Sequence, residues 1–183
     1  MPLRRHTSYR LEGHQHLIEI KLREPRQLFN SLDPAPFHEK DLDTSAEEYI
    51  VSAVQELGIH QQSKLVIYLP DAQDAECATI PAAVSHYFSY RAQQARADLQ
   101  QLLRFGLMSL LIGSLFLFVC LMLREALLPT GVSQIVTEGL LIVGWVALWR
   151  PLEVFLYEWW PIRQRQRRFQ YIATMPMEVR SRS

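Results

Sequence analysis

The chain has 183 residues, of which 49% are hydrophobic and 21% charged, and its formal net charge at pH 7 is zero. This composition is that of a folded protein and excludes a disordered, collagen-like or disulfide-rich chain. The only cysteines are Cys77 and Cys120. Because Cys120 lies inside an apolar run, a disulfide between the two is not expected, and they fit a reducing compartment.

The first part of the chain predicts a small βαβ-like domain. Residues 16–23 alternate apolar and charged side chains, which is the period of a half-buried strand. Residues 44–58 predict an amphipathic helix, with Thr44 and Glu47 spaced as a capping box, and residues 64–70 predict a second strand parallel to the first. Because two strands seldom make a stable sheet, we expect a neighbouring subunit or another protein to complete it.

Residues 29–43 (FNSLDPAPFHEKDLD) separate the first strand from this helix. Asp33 followed by Pro34 favours a turn and then extended chain, and Asp43, or Thr44 just after it, is placed to cap the helix. Three apolar side chains are expected to fasten the segment to the domain: Phe29, Leu32 and Phe37. The stretch therefore predicts a rigid packed connector, with a binding site as the alternative.

A connecting helix is predicted over residues 79–104, and it continues into residues 105–123, an uncharged run long enough to span a bilayer. One helical face keeps the alternating spacing of 4 and 3 that is typical of a coiled-coil seam. Its members are Phe88, Ala92, Ala95, Leu99, Leu102, Gly106, Ser109 and Gly113. This seam either joins copies of the chain or packs on the second membrane helix of the same chain.

Residues 135–149 form a second apolar run after a loop at 124–134, which predicts a two-helix hairpin. Arginines precede and follow the hairpin, whereas the loop holds only Arg124, so the positive-inside rule places both ends in the cytoplasm. Glu138 lies one turn into the second helix. It is predicted to pair with Arg124 as a structural contact, and the alternative is the mouth of an ion path.

Residues 150–183 predict an amphipathic helix lying in the cytoplasmic interface, followed by a basic tail that sits against anionic lipids. The expected anchors are aromatic: Tyr157, Trp159 and Trp160. The alternative is one longer helix that carries Arg150 and Glu153 into the apolar zone. The arginine run at residues 163–168 directly follows the membrane segments, and this position already explains its charge. No nucleic-acid partner is therefore predicted.

Motifs of the common enzyme classes are absent: there is no glycine-rich phosphate loop, HExxH, CxxC pair or GxSxG elbow. His14 and His16 share one strand face, and with His38, Asp41 or Asp43 they would be the best-motivated metal ligands of an enzyme. Without a fixed ligand spacing, that hypothesis is the weakest. We predict no catalytic residue, no metal and no cofactor.

Two stretches, LFNSLDPAPFHEKDLDTSAEEYI (28–50) and EGLLIVGWVALWRPLEVFLYEWWPI (138–162), resemble a family of uncharacterised bacterial inner-membrane proteins with a soluble domain followed by a hairpin. The similarity covers most of the chain, and its motifs are specific. It implies the bacterial cytoplasmic membrane and supplies no catalytic residue, because the family has no assigned activity.

The predicted fold class is an α+β, largely helical membrane protein. Its predicted parts are a cytoplasmic α/β domain (1–78), a connecting helix (79–104), two transmembrane helices (105–123 and 135–149) around a periplasmic loop (124–134), and an interfacial helix with a basic tail (150–183). The predicted function is a non-enzymatic scaffold or accessory subunit that forms a homo-oligomer or joins a membrane complex. The alternative is an oligomeric channel or transporter with Glu138 or Arg150 near its pore.

Overall fold

The structure is a computed structural model that describes residues 9–31, 33, 40–70, 75–130 and 134–181. The chain divides into two units, which we name the sheet unit (Met1–Gln93 with Arg165–Ser183) and the hairpin unit (Gln94–Gln164). Most of the described chain is helical, and a small mixed sheet accompanies the helices. This agrees with the predicted α+β class.

The sheet has four strands, in the order β1 (Leu11–Glu12), β2 (Gln15–Lys21), β3 (Ser63–Leu69) and β4 (Met177–Ser181). β1 is antiparallel to β2 across a turn at Gly13, and β2, β3 and β4 are parallel. The two predicted strands and their parallel pairing are confirmed. The expectation that another chain completes the sheet is wrong, because the N-terminal and C-terminal segments of the same chain supply β1 and β4.

Helix α1 (Thr44–Leu57) connects β2 to β3. Its cap is Asp43, whose carboxylate accepts the backbone N–H of Ser45 at 2.9 Å. Gly58, at a φ of 85° that suits glycine, ends the helix. The predicted helix is therefore confirmed. The predicted capping box of Thr44 and Glu47 is wrong, because Asp43 is the cap and the Glu47 carboxylate accepts from Arg91 and Tyr87.

The second connection, from β3 to β4, is much longer. Helix α2 (Ala75–Leu127) follows β3, and helix α5 (Trp159–Thr174) precedes β4. Between them lie a 3₁₀ turn, helix α3, helix α4 and one π-helical segment: Leu128–Thr130, Gln134–Val146, Trp149–Glu153 and Val154–Glu158. The hairpin unit is thus inserted into the crossover connection between two neighbouring parallel strands.

Both crossovers step across the sheet in the same direction. Because such connections are almost always right-handed, α1 and the α2–α5 pair lie on the same face. On that face Ile18, Leu65 and Ile67 are fully buried. The other face carries the charged side chains of the sheet.

The first half of the predicted seam lies in the protein's own core. Phe88 is fully buried, and its ring centroid lies 6.0 Å from that of Phe169 on α5. Ala92 and Ala95 are also buried, whereas Leu99 is only half-buried. The side chain of Phe88 is therefore buried by contacts within one chain, and its position does not support a contact between copies.

The second half of the seam packs on the returning helix of the same hairpin. A Cβ added at Gly113 would lie 2.8 Å from the carbonyl oxygen of Ala147, and one added at Gly106 would lie 2.7 Å from a methyl group of Val154. These glycines allow close helix approach within the chain, so the alternative of packing on the second helix is the one that the structure forms.

Pro151 explains why the returning helix is broken. Proline has no N–H to donate to the carbonyl four residues earlier, which belongs to Ala147, and the helix is interrupted at residues 147–148. The chain nevertheless stays on α2, because Ala147 faces Gly113 and Val154 faces Gly106 further along. A new helix thus starts at Trp149, close to the predicted residue 150, but it continues along α2 in the direction of the returning helix. The interfacial position of residues 150–183 stays a prediction.

Two helical runs of the described chain, Cys77–Leu127 and Gln134–Thr174, are long and apolar enough to cross a membrane, judged by length and composition. Only 17% of the most apolar window of each run is buried inside the structure. Their outward side chains are mostly large and apolar, including Leu111, Ile112 and Leu115.

Candidate functional site

The uncovered face of the sheet carries a closed set of four charges, which we call the charged ring: Glu12, Lys64, Glu178 and Arg180. Lys64 Nζ lies 2.5 Å from Glu178 and 3.8 Å from Glu12. Arg180 Nη2 lies 2.7 Å from Glu12 and 2.9 Å from Glu178. Each charge has two opposite neighbours, so the ring connects β1, β3 and β4 and leaves no net charge to attract an ion.

The ring also protects an apolar residue beneath it. Val66 lies on the same face in register with Glu178, and it is fully buried between the polar residues Lys64 and Tyr68. Long charged side chains cover apolar neighbours with their aliphatic stems while their heads stay in water. The ring therefore closes this face of the sheet and has a structural role.

The pKa of Glu178 is lowered to about 2 by its hydrogen bond from Arg180 and then by that from Lys64. A lowered pKa in the folded state adds stability above the ordinary value of 4.5, and this stability is lost as the pH falls toward 2. We expect the wild type to lose more unfolding free energy than Glu178→Gln between these pH values, measured by unfolding in detergent. Glu48→Gln, which removes an exposed carboxylate of α1, is the matched control, and parallel curves for wild type and Glu178→Gln would contradict the prediction.

A shallow, open depression of about 470 Å³ lies beside β2. Its lining residues are Tyr9, Arg10, Leu17, Glu19, Ile20, Lys21 and Tyr49. The Tyr49 hydroxyl donates to the backbone oxygen of Glu19, and the carboxylate of Glu19 accepts from the Tyr68 hydroxyl at 2.8 Å. That hydrogen bond raises the pKa of Tyr68, so the phenol keeps its proton. The lining contains no serine, cysteine or histidine, so it offers no nucleophile that the Glu19 carboxylate could activate as a general base.

A second, half-buried cluster joins three helices of the sheet unit. Arg91 donates to one carboxylate oxygen of Glu47 from Nε and Nη2 at 3.1 and 2.7 Å, and the Tyr87 hydroxyl donates to the other at 2.7 Å. The guanidinium of Arg91 also lies 5.4 Å from the ring centroid of Phe169. The carboxylate of Glu47 thus accepts three hydrogen bonds. The cluster connects α1 to α2 and α5.

The connector at residues 29–43 is pinned at its two ends. Phe29 is buried and forms an isolated β-bridge with Leu42. Asp33 accepts the backbone N–H of Asp41 at 2.8 Å, and Asp43 caps α1. The predicted roles of Leu32, Pro34 and Phe37 lie outside the described residues.

The hypothetical metal ligands do not come together in the part of the chain that the structure describes. There, no group of three or more histidine, cysteine, aspartate or glutamate residues is placed to hold a metal ion. Asp43 is used as a helix cap, and His38 lies outside the described residues. No further support for a metal-dependent enzyme comes from the geometry.

In the hairpin unit, Arg150 lies among acids of its own helix. Its guanidinium lies 3.3 Å from Glu153, pairs with Glu158, and sits 5.8 Å from the ring centroid of Phe105. Trp149 donates its indole N–H to Glu153 at 2.9 Å. Because Phe105 is the first residue of the uncharged run on α2, Arg150 lies at the end of the apolar zone and not in its middle.

The predicted pair of Arg124 with Glu138 does not form. Arg124 pairs with Glu125 at 2.8 Å, and Glu138 accepts from the Gln134 side chain one turn earlier on α3. The partners of both residues are therefore close neighbours in the sequence, and Nε of Arg124 is buried without a hydrogen-bond partner among the described residues. Their common position near the outer end of the hairpin therefore did not predict which residues they contact.

The arginines counted as a basic tail have different surroundings. Arg150 is held by two carboxylates, Arg180 belongs to the charged ring, and Arg165 lies 5.4 Å from the ring centroid of Phe169. Arg163 lies over the ring of Trp159. Sequence reasoning missed these differences because a count of arginines carries no information on their partners.

Comparisons with protein-family models, with curated proteins and with solved structures find no match to this chain. The resemblance to bacterial inner-membrane proteins stays a prediction.

Proposed function

We propose that the protein is a two-pass integral membrane protein that works without catalysis as a scaffold or accessory subunit. The observation that carries this proposal is the insertion of a hairpin with an apolar, largely unburied surface into the β3–β4 crossover. Apolar surface of this extent is unfavourable in water and is covered in a bilayer by lipid or by other helices.

The pairing of β3 with β4 supports an even number of membrane crossings. These strands are hydrogen-bonded neighbours, and one precedes the hairpin while the other follows it. Strands on opposite sides of a bilayer cannot pair, so both flanking segments lie on one side. With the arginine distribution, this favours cytoplasmic termini in a bacterial inner membrane.

A scaffold role agrees with the chemistry of the sheet unit. The polar clusters described above have their charges paired, and they join secondary-structure elements to each other. Partners would then meet the outward apolar face of the hairpin, where they are other membrane subunits or further copies of this chain. The channel alternative has less support, because Arg150 is held by Glu153 and Glu158 at the end of the apolar zone.

Membrane integration and topology are tested together. We expect the protein to resist alkaline carbonate extraction. A reporter enzyme that is active only in the periplasm should be active when fused after Pro129 and inactive when fused after Ser183. Release by carbonate, or activity of the fusion after Ser183, would contradict the proposal. Ion flux into liposomes that contain the purified protein would favour the channel instead.

A further inference from the structure

Arg163 differs from Arg150, which Glu153 and Glu158 hold at the start of the same helical run, and it differs from Arg165 in the exposed tryptophan beside it. No carboxylate in the described part of the chain pairs with it, and its side chain is exposed. Its guanidinium carbon lies 5.6 Å from the ring centroid of Trp159. Arg163 is thus an exposed cation that an aromatic ring, and not an acid, holds in position.

The ring under Arg163 is itself fixed. Trp159 donates its indole N–H to the backbone oxygen of Phe155 at 2.8 Å, and its ring meets that of Trp160 edge-on at a centroid distance of 5.6 Å. A guanidinium that lies over an aromatic ring, with no carboxylate on it, has N–H groups left for other acceptors. Arg163 is therefore prepared to bind a group with two oxygens in one plane, as a phosphate offers.

Apolar and aromatic surface lies next to this cation. Trp160 and Arg163 lie three residues apart on α5, so they share one side of that helix, and Leu156 lies in the π-helical segment just before it. Leu156 is 59% exposed, Tyr157 71% and Trp160 56%. A cation beside exposed aromatic side chains is the composition of protein surface at the headgroup level of a membrane.

We propose that Arg163, held on the Trp159–Trp160 pair, binds the phosphate of an anionic phospholipid, with Leu156 and Trp160 against the start of its acyl chains. This inference rests on the proposed function, because the membrane supplies the lipid. Charge complementarity favours an anionic headgroup over a zwitterionic one, since no neighbouring acid neutralises Arg163. A free phosphate would leave the apolar side of the site unused.

The test is a titration of the purified protein in detergent with phosphatidylglycerol and with phosphatidylcholine of the same acyl chains, followed by native mass spectrometry. We expect the wild type to bind phosphatidylglycerol more tightly than phosphatidylcholine. Arg163→Gln should weaken phosphatidylglycerol binding about fivefold and leave phosphatidylcholine binding unchanged. Because Arg163 is exposed, the variant is expected to keep the melting temperature of the wild type.

Arg165→Gln is the matched control, because it removes the same charge two residues later, where the guanidinium stacks on Phe169. An equal loss in both variants, or no loss in Arg163→Gln, would overturn the assignment. Displacement of phosphatidylglycerol by excess inorganic phosphate would instead indicate a site for free anions and would also overturn it. If Arg163→Gln still resists carbonate extraction, these outcomes leave the proposed membrane function intact.

Discussion

Replacing Phe88 with alanine is expected to destabilise the sheet unit by about 3–5 kcal/mol, the usual loss when a buried aromatic ring is removed from a well-packed core. Phe88 is fully buried, and its ring packs against Phe169 and edge-on against Tyr87, with centroids 6.0 and 5.4 Å away. The alanine variant loses these contacts and leaves a cavity between α2 and α5. Chemical unfolding in detergent, followed by circular dichroism, measures the change.

Tyr90→Ala is the matched control, because Tyr90 is an aromatic residue of the same helix that is 51% exposed. It should change the unfolding free energy far less. The spacing of Phe88 also allowed a role in contacts between copies of the chain. The mass of the intact complex distinguishes that role from a role in the core of one chain. A lower oligomer mass with an unchanged unfolding midpoint would show that Phe88 acts between chains.

Replacing Gly113 with leucine is expected to destabilise the hairpin unit by at least about 1–3 kcal/mol, because a larger side chain in a packed contact forces the structure apart. The first added atom would already lie 2.8 Å from the carbonyl oxygen of Ala147 and 3.2 Å from a methyl group of Leu148. The carbonyl belongs to the backbone and cannot turn away as a side chain can. Thermal unfolding in detergent, or the rate of proteolysis in the loop after α2, measures the loss.

Gly139→Leu is the control for this prediction, because a Cβ added at Gly139 meets no atom within 4 Å. It should leave the stability of the hairpin nearly unchanged. Gly144→Ala should have an intermediate effect, since its nearest contact is the terminal methyl group of Leu117, which can move. Equal stability of the Gly113 and Gly139 variants would contradict the close approach of α2 to residues 147–148.

Local patterns in the sequence predicted the elements whose causes are local. The alternation in β2, the apolar stripe of α1 and the uncharged run in α2 each lie within one short window. Asp43 was also a predicted cap, and capping depends only on the next few residues. These features needed no information from distant parts of the chain.

The missed strand β4 shows where such patterns fail. It has only five residues, MEVRS, of which two are charged, and this pattern alone does not distinguish a strand from a polar tail. They become a strand because β3, far away in the sequence, offers an unpaired edge. For the same reason the sequence could not show that Arg180 neutralises Glu12 and Glu178, whereas Arg163 has an aromatic partner.

The seam was predicted correctly as a packing face, but its partner was left open between another copy of the chain and the second membrane helix of the same chain. Helical spacing identifies which residues share a face, and it does not identify what covers that face. Phe88 meets Phe169, and Gly113 meets Ala147, both through contacts with the returning part of the chain. Local periodicity was thus enough to predict the two apolar helices, the parallel strand pair and the helix between them. That the chain completes its own sheet and covers its own seam could be seen only in the folded chain, because folding brings these distant partners together.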